Sequence, residues 1–334
     1  MSTTVQPPSP PVFATSVSPR SRGYELDMQE FGPLVDSSGL LEQTPLLHER
    51  LEEDGYLYLP GFFEGGAVLA ARKVVTDRLM EEGFLDRSYP AIDGVVANVK
   101  IVNAKSAFRP PTGGEDIEVV KTYNADDLTK QNRPLLDLLY TGKLIGFFEG
   151  FFASPVRHYN YTWFRAVSPG LGTPPHCDWV YMNRGTPRLL TTWLPVGDAS
   201  LEVGGLMILE GSHKKSDRLR NYLSKDVDEY CVNRANAEKI ESGEMLYEWD
   251  GTLSRNPVSL REKLGGRWLT AEFKAGDILI FTMRTVHASL DNQSNQIRLS
   301  ADTRYQPADE PVDERYVVEN PLPFAPRFKK GRIC

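Results

Sequence analysis

Two histidines and one aspartate have the residue types and the spacing of a metal site. His176 and Asp178 are separated by a single residue within the segment 173–178. Because alternate residues of a strand project from the same face, this imidazole and carboxylate can reach one ion from one side. His287, which follows the apolar run 278–281, is the best candidate for a third ligand. Two imidazoles and one carboxylate on one face of an octahedron leave three positions open, which suits iron(II) that binds both a chelating acid and dioxygen.

The histidine–aspartate pair by itself is not specific. A His-x-Asp sequence often arises by chance, and His176 could simply form a hydrogen bond with Asp178. His287 alone is equally ambiguous. The metal hypothesis therefore needs a further residue whose chemistry makes sense only beside a metal.

Arg298 is that residue. It lies eleven positions after His287 and begins a predicted strand. A planar guanidinium buried near a metal needs an anion, and a dicarboxylate that chelates the metal supplies one at its far end. Ser300, on the same face of that strand, and Ser289, two residues after His287, could donate hydrogen bonds to the same carboxylate. The alternative for Arg298 is a salt bridge to a surface acid, the usual role of an isolated arginine.

Short β-type segments must position these side chains. They are separated by Gly, Pro and Asp and cover residues 159–167, 189–195, 205–209, 268–273, 278–283 and 297–305. Strands at this spacing indicate a sandwich or a jelly-roll barrel rather than a parallel sheet. The predicted fold class is mainly β with flanking helices.

The rest of the chain divides by composition. Residues 1–23 are rich in Pro, Ser, Thr and Val and are predicted to be a disordered leader. Residues 24–334 are predicted to be a single domain, with N-terminal helices over about 44–155 and a β core over about 156–310. A polar, charge-rich insertion at about 214–266 is expected to form a lid or a substrate wall.

Composition excludes several classes of protein. The formal net charge of −7 argues against a nucleic acid partner, which would favour a basic surface. The three cysteines, with no CxxC, argue against a disulfide scaffold or a thiolate zinc site. No run approaches 18 apolar residues, and no signal peptide is evident, so no membrane association is predicted. We expect a cytoplasmic enzyme with a small-molecule substrate; its oligomeric state is left open.

Three segments resemble the phytanoyl-CoA dioxygenase family. They are residues 204–214, with the sequence Gly-Gly-Leu-Met-Ile-Leu-Glu-Gly-Ser-His-Lys, residues 274–289, which end in His-Ala-Ser, and the opening segment 53–63. Together with the His-x-Asp placement, the resemblance covers about residues 46–307. One departure is Glu210, where many members have proline, and we expect it to alter a turn without affecting the chemistry. His213 belongs to a turn outside the metal centre in that motif.

The resemblance implies both a fold and a ligand set. The fold is a double-stranded β-helix, which is a jelly-roll, cupin-like core. Iron(II) would be held by His176, Asp178 and His287. The co-substrate 2-oxoglutarate would be held by Arg298, with Ser289 and Trp193 beside it, and dioxygen would be the oxidant.

The function that follows is an iron(II)- and 2-oxoglutarate-dependent dioxygenase that oxidises a small organic molecule and releases succinate and CO2. The intact carboxylate of Asp178 favours hydroxylation, or a related oxidation, over the halogenation performed by relatives with a small residue at this position. The substrate fits best in secondary metabolism. Candidate substrate contacts lie near the ligands or on the same strand face as Arg298, although each aromatic could equally be core: Tyr161, Trp163, Trp179, Tyr181 and Arg304.

Two other classes stay open at this point. One is a cupin-like metal enzyme that does not use 2-oxoglutarate; it would have no need for the guanidinium of Arg298. The other is a non-catalytic barrel that binds a small molecule. The complete set of candidate ligands argues against this second class, because drift would normally remove at least one of them.

Overall fold

A computed structural model describes residue 13 and residues 17–97, 101–103, 121–123, 125–227 and 249–317. The elements of the N-terminal half are β1 (Arg20–Ser21), β2 (Tyr24–Glu25), β3 (Phe31–Pro33), α1 (Thr44–Asp54), β4 (Tyr56–Leu59), α2 (Gly65–Glu81), β5 (Ile101–Asn103), β6 (Lys121–Tyr123), α3 (Ala125–Lys130), α4 (Arg133–Tyr140) and α5 (Gly142–Phe152). Those that follow are β7 (Val156–His158), β8 (Trp163–Val167), β9 (Leu190–Pro195), β10 (Leu206–Leu209), α6 (Arg220–Leu223), α7 (Pro257–Leu264), β11 (Trp268–Thr270), β12 (Ile278–Thr282), β13 (His287–Ser289) and β14 (Arg298–Pro307).

Two sheets form the core of the described part of the chain. The larger sheet has the strand order β4-β12-β9-β14, and both β7 and β8 pair with β14. Every pairing in this sheet is antiparallel. The smaller sheet has the order β13-β10-β11-β3, with β3 added in parallel at its edge. The arrangement agrees with the predicted jelly roll and its flanking helices.

Strand β12 shows how the larger sheet is buried on both faces. Ile278 and Ile280 pack against the helices that cover the outer face of the sheet. Leu279 and Phe281, which alternate with them, pack against residues of the smaller sheet. Since successive side chains of a strand project to opposite faces, one apolar run serves two cores. No helix in the described ranges is long and apolar enough to cross a membrane.

The first long helix has residues at its start and end that explain where it begins and stops. α1 carries proline in its first turn and ends at Gly55, whose φ of 79° is left-handed. A Cβ at this glycine would lie 2.4 Å from Nδ1 of His213. Nε2 of His213 lies 3.0 Å from the carbonyl oxygen of Glu52. His213 therefore packs against the end of α1, as expected for a structural residue.

The predicted leader is wrong at its C-terminal end. Strand β1 pairs with β2, and the Ser21 hydroxyl donates to the carbonyl of Ser289 at 2.9 Å. The amides of residues 22–23 both donate to the carboxylate of Asp291 at 2.8 Å. These partners lie almost 270 positions away in sequence, so local composition could not reveal them. The remainder of the predicted leader, residues 1–12 and 14–16, lies outside the described residues.

The predicted insertion packs against the segment that carries the first two candidate ligands. Residues 228–248 of it lie outside the described residues, whereas α6 and α7 are described. The Tyr222 hydroxyl, on α6, accepts a hydrogen bond from the amide of Cys177 at 3.0 Å. It also donates to the carbonyl of Gly251 at 2.7 Å. The described part of the insertion thus packs against this segment.

The two-sided burial of β12 predicts a large effect of shortening one of its side chains. Ile280 is 0% exposed and packs among the helices. We expect Ile280→Ala to lower the free energy of unfolding by about 2–5 kcal/mol, because it leaves a cavity that the sheet cannot close. Urea unfolding measures this change. As a control, Leu69→Ala, on the exposed face of α2, should change it by about 0.5 kcal/mol or less; equal losses for the two variants would contradict the packing.

Candidate metal centre and adjoining cavity

A backbone pairing brings two of the candidate ligands together. His176 and His287 form an isolated antiparallel bridge, in which each amide donates to the other residue's carbonyl at 3.0 Å. Residues paired in this way project their side chains to the same face. The two imidazole ring centroids are 4.2 Å apart. The sequence separates these histidines by 111 residues, and the sheet places them side by side.

A backbone carbonyl orients the imidazole ring of each histidine. Nδ1 of His176 lies 2.8 Å from the carbonyl oxygen of Pro174, and Nδ1 of His287 lies 3.1 Å from that of Thr285. A carbonyl oxygen only accepts, so each Nδ1 carries the proton and each Nε2 keeps a free lone pair. Burial lowers the pKa of His176 to about 3 and also lowers the pKa of His287. Both imidazoles are therefore neutral, as metal ligands must be.

The carboxylate of Asp178 uses its two oxygens differently. Oδ1 lies 3.8 Å from Nε2 of His176 and 3.7 Å from Nε2 of His287. Oδ2 accepts from the Thr191 hydroxyl at 2.6 Å and from Nη2 of Arg304 at 2.8 Å. Burial alone would raise the pKa of Asp178, but the Arg304 guanidinium, together with the hydrogen bond from Thr191, outweighs it and holds this pKa well below its usual range. One anionic oxygen is left facing the histidines.

The donor set of this cluster fits iron(II). Ligand atoms of His176, Asp178 and His287 all lie within 4.8 Å of one another, and all three residues are buried. Two imidazole nitrogens and one carboxylate oxygen are the facial set that leaves three coordination positions open. The His-Asp-His site can therefore bind the metal that the sequence predicts.

The cluster lines a cavity that opens to solvent, and the empty space in it, counted out to and including its open mouth, is about 340 Å³. Strand β14 supplies much of its polar wall. Arg298, Asp302 and Arg304 line the cavity, and the alternate residues Leu299 and Ala301 belong to the core beneath the helices. The cavity is lined by Arg165, Thr173, His176, Asp178, Trp193, Leu206, Phe281, His287, Arg298, Asp302 and Arg304.

Of the four residues predicted to hold 2-oxoglutarate, the structure places Arg298 and Trp193 in the cavity wall. Arg298 is 3% exposed. Ser300 is buried, and its hydroxyl finds no hydrogen-bond partner among the described residues. Ser289 does not line the cavity; its hydroxyl accepts from the amide of Thr173, a cavity residue, at 2.7 Å. The buried guanidinium of Arg298 and the unpartnered hydroxyl of Ser300, two residues further on the same strand face, fit a carboxylate ligand.

The predicted substrate residues divide into two groups. Arg304 lines the cavity, and its Cζ lies 4.2 Å from the centroid of the Trp163 ring. Tyr161 packs edge-on against Trp163 at 4.7 Å. Tyr181 packs edge-on against the ring of His176 at 5.8 Å. These contacts bring Trp163 and Tyr181 against cavity residues, and Tyr161 lies behind Trp163.

Trp179 requires a correction. Its Nε1 donates to the carbonyl of Leu223 at 3.0 Å, so the indole faces the insertion and not the cavity. The expectation rested on the closeness of Trp179 to the ligands in sequence. The chain turns into a 3₁₀ helix over Asp178–Val180, and the indole leaves this turn on the side of the insertion.

Sequence reasoning missed several residues that contact the site, among them Arg165 and Thr191. Arg165 lines the cavity, and Thr191 bonds to Asp178. Each lies two residues from an aromatic that had been singled out, Trp163 and Trp193 respectively, on a predicted strand. A period of two places Arg165 on the face of Trp163 and Thr191 on the face of Trp193, but the contact of Thr191 with Asp178 also depends on how the strands pair.

Comparison with known proteins settles the family. The model of a family described as phytanoyl-CoA dioxygenase (PhyH) matches residues 51–300. The chain belongs to the phytanoyl-CoA dioxygenase family. Membership confirms the predicted family and enzyme class, a non-haem iron, 2-oxoglutarate-dependent dioxygenase acting on small molecules.

Similar members and solved structures agree with this assignment. This phytanoyl-CoA dioxygenase family member is 25% identical over 279 residues to a 1-deoxypentalenic acid 11-beta-hydroxylase from Streptomyces exfoliatus, covering 82% of this chain and 85% of the relative. A structure of EctD from S. alaskensis with 2-oxoglutarate and 5-hydroxyectoine is 16% identical, covers 85% of this chain and 83% of its own, and has a TM-score of 0.51. The epimerase SnoN in complex with Fe3+, alpha ketoglutarate and nogalamycin RO is 18% identical, with coverages of 88% and 96% and a TM-score of 0.50. These likenesses confirm the predicted jelly-roll fold.

The buried pair of Asp178 and Arg304 predicts a stability effect that a surface pair would not show. Arg304→Met removes the charge that compensates the Asp178 carboxylate, and we expect the apoprotein to lose about 3–5 kcal/mol of unfolding free energy. Arg220 is a matched control, because it bonds Asp217 at the same 2.8 Å while their side chains are 76% and 93% exposed. Arg220→Met should cost about 0–1 kcal/mol. Urea unfolding of both variants without metal tests this, and similar losses would show that the buried pair is not strongly coupled.

Proposed function

We propose that this family member uses iron(II), 2-oxoglutarate and dioxygen to hydroxylate a small organic molecule, with release of succinate and CO2. The observation that carries the proposal is that three neutral or anionic ligand atoms converge at the wall of a cavity that a buried arginine also lines. We assign iron to His176, Asp178 and His287. We assign 2-oxoglutarate to Arg298, Trp193, Ser300 and Ser289.

Each metal-binding residue has a defined task in this proposal. The carbonyls of Pro174 and Thr285 hold the two imidazoles with Nε2 toward the metal position. Asp178 adds one negative oxygen and keeps its second oxygen engaged with Thr191 and Arg304. When bound, iron(II) with 2-oxoglutarate supplies the activation of dioxygen that protein side chains cannot provide.

The remaining cavity residues bind the co-substrate and exclude water. Arg298 presents a planar guanidinium at 3% exposure, so its charge has little competition from solvent, and the bond from its Nη1 to the carbonyl of Gly204 holds it in place for a carboxylate. The unpartnered Ser300 hydroxyl adds a donor on the same face of β14. Trp193, Leu206 and Phe281 line the cavity with apolar surface, which strengthens electrostatic contacts inside it.

A small organic substrate is supported by a relative. The similar protein from Streptomyces exfoliatus is a hydroxylase of 1-deoxypentalenic acid. Trp163 and Arg304, with Tyr161 and Tyr181 behind them, are proposed as substrate contacts. A cytoplasmic location and the absence of a nucleic acid partner are kept as predictions.

Formation of the iron chelate tests the metal assignment. Under anaerobic conditions, iron(II) and 2-oxoglutarate added to the wild-type protein should produce the weak visible charge-transfer band of that chelate. Asp178→Ala should abolish or shift the band, because it removes the anionic ligand. Asp217→Ala, at an exposed carboxylate, is the control and should leave the band unchanged. An unaltered band in Asp178→Ala would sink the assignment.

The Arg298 assignment predicts a selective loss of co-substrate affinity. Loss of a hydrogen bond to a charged group costs about 1.5–3 kcal/mol, so Arg298→Gln should raise the Kd for 2-oxoglutarate by roughly 10- to 150-fold. The affinity for iron(II) alone should not change. Anaerobic titration followed by the visible band measures the Kd for 2-oxoglutarate, and calorimetric titration with iron(II) alone measures the affinity for the metal, with Arg78→Gln on the surface of α2 as the control. A variant that binds 2-oxoglutarate like wild type would favour an enzyme that uses another oxidation chemistry.

A further inference from the structure

Arg165 lines the same cavity but plays no part in holding iron or 2-oxoglutarate in the proposal above. It lies on β8, and its Nε donates to Oδ2 of Asp302 at 3.0 Å. The Arg165 side chain is 37% exposed, whereas that of Asp302 is 8% exposed. Within the described residues, no hydrogen bond involves Nη1 or Nη2 of Arg165. Asp302 thus anchors the base of the guanidinium, and its outer nitrogens are accessible where the cavity meets solvent.

Charges in the described cavity wall do not balance. Three arginines, Arg165, Arg298 and Arg304, face two carboxylates, Asp178 and Asp302. The two histidines are assigned to the metal, and a histidine that binds a metal is neutral. Iron(II) adds two positive charges and 2-oxoglutarate adds two negative charges, so the loaded cavity keeps one positive charge in excess. Uncompensated charge in a water-poor site is unfavourable, and an anion that enters with the substrate would remove it.

A second arginine adds donors inside the cavity. Arg304 is 2% exposed, and its Nη2 donates a hydrogen bond to Asp178. Its Nε and Nη1 are buried without a hydrogen-bond partner among the described residues. Buried N–H groups of a guanidinium are rarely left unpaired in a finished complex. Arg165 therefore offers two donors, Nη1 and Nη2, near solvent, and Arg304 offers two more, Nε and Nη1, deeper in the cavity.

We propose that the substrate is a monoanion, typically a carboxylic acid, whose charged group is bound by Arg165. This inference rests on the proposed function and names the substrate class for the same cavity. The planar fork of arginine matches a carboxylate better than it matches any neutral oxygen group. Binding there places the charged end of the substrate at the mouth and its apolar part toward Trp163 and Phe281, nearer the metal position.

Affinity selection with paired compounds tests the inference. The wild-type protein, with iron(II) and 2-oxoglutarate and without dioxygen, is equilibrated with an equimolar library of terpenoid-sized monocarboxylic acids and the methyl ester of each. The retained compounds are quantified by mass spectrometry after ultrafiltration. We expect at least one acid to be retained about tenfold or more over its own ester. Arg165→Gln should abolish this preference, and Arg165→Lys should keep part of it, because the charge stays while the fork is lost.

Controls separate the possible failures. Arg157→Gln, on β7 outside the cavity lining, should retain the acids as the wild type does. The visible chelate band, recorded on the same samples, reports whether iron and 2-oxoglutarate are bound. A missing band means that the proposed function itself is wrong. With the band present, equal retention of acids and esters, retention of neither, or an unchanged preference in Arg165→Gln would each overturn the monoanion proposal.

Discussion

The buried carboxylate of Asp178 is the constraint around which the site is built. A negative charge at 2% exposure requires compensation, and the fold supplies it from two separate strands. Thr191 comes from β9 and Arg304 from β14. Because the hydroxyl and the guanidinium occupy one oxygen, the other is left to face the imidazoles. The same contacts that neutralise the carboxylate therefore also select which of its atoms can bind a metal.

Strand β14 connects this site to the rest of the molecule. One face carries Arg298, Asp302 and Arg304 into the cavity, and the other carries residues such as Tyr305 into the core beneath the helices. Tyr305 also stacks on Phe148 of α5, with ring centroids 4.4 Å apart. Packing of the helices thus fixes the position of the strand that holds two cavity arginines. A change that loosens the helical layer is consequently expected to disturb the geometry of the site as well.

Much of the site could be predicted because its residues follow local rules. The separation of His176 from Asp178 and the period of two along β14 are visible in the sequence, and the structure brings these side chains together. Contacts set by strand pairing could not be predicted in the same way. Thr191 reaches Asp178 because β9 lies between β12 and β14, an order that no local pattern encodes.

Two errors have the same physical origin. The indole of Trp179 faces the insertion because a 3₁₀ turn replaces the strand after Cys177. Residues 17–23 are ordered by hydrogen bonds to Ser289 and Asp291, far along the chain, although their composition is typical of a disordered segment. In both places, a tertiary contact overrides a local preference. Composition and periodicity indicate the local conformation that a segment prefers, and its contacts with distant segments decide the conformation that it adopts.

The anchoring of the N-terminal strand has a consequence for how this protein is produced. The carboxylate of Asp291 accepts hydrogen bonds from the amides of residues 22–23 and from that of Gly172, only four positions before His176. Residues 22–23 therefore help to hold the Asp291 carboxylate that positions the loop leading into the metal ligands. A recombinant protein trimmed to start at the first long helix would keep every ligand, but it would lose the hydrogen bonds between residues 22–23 and Asp291.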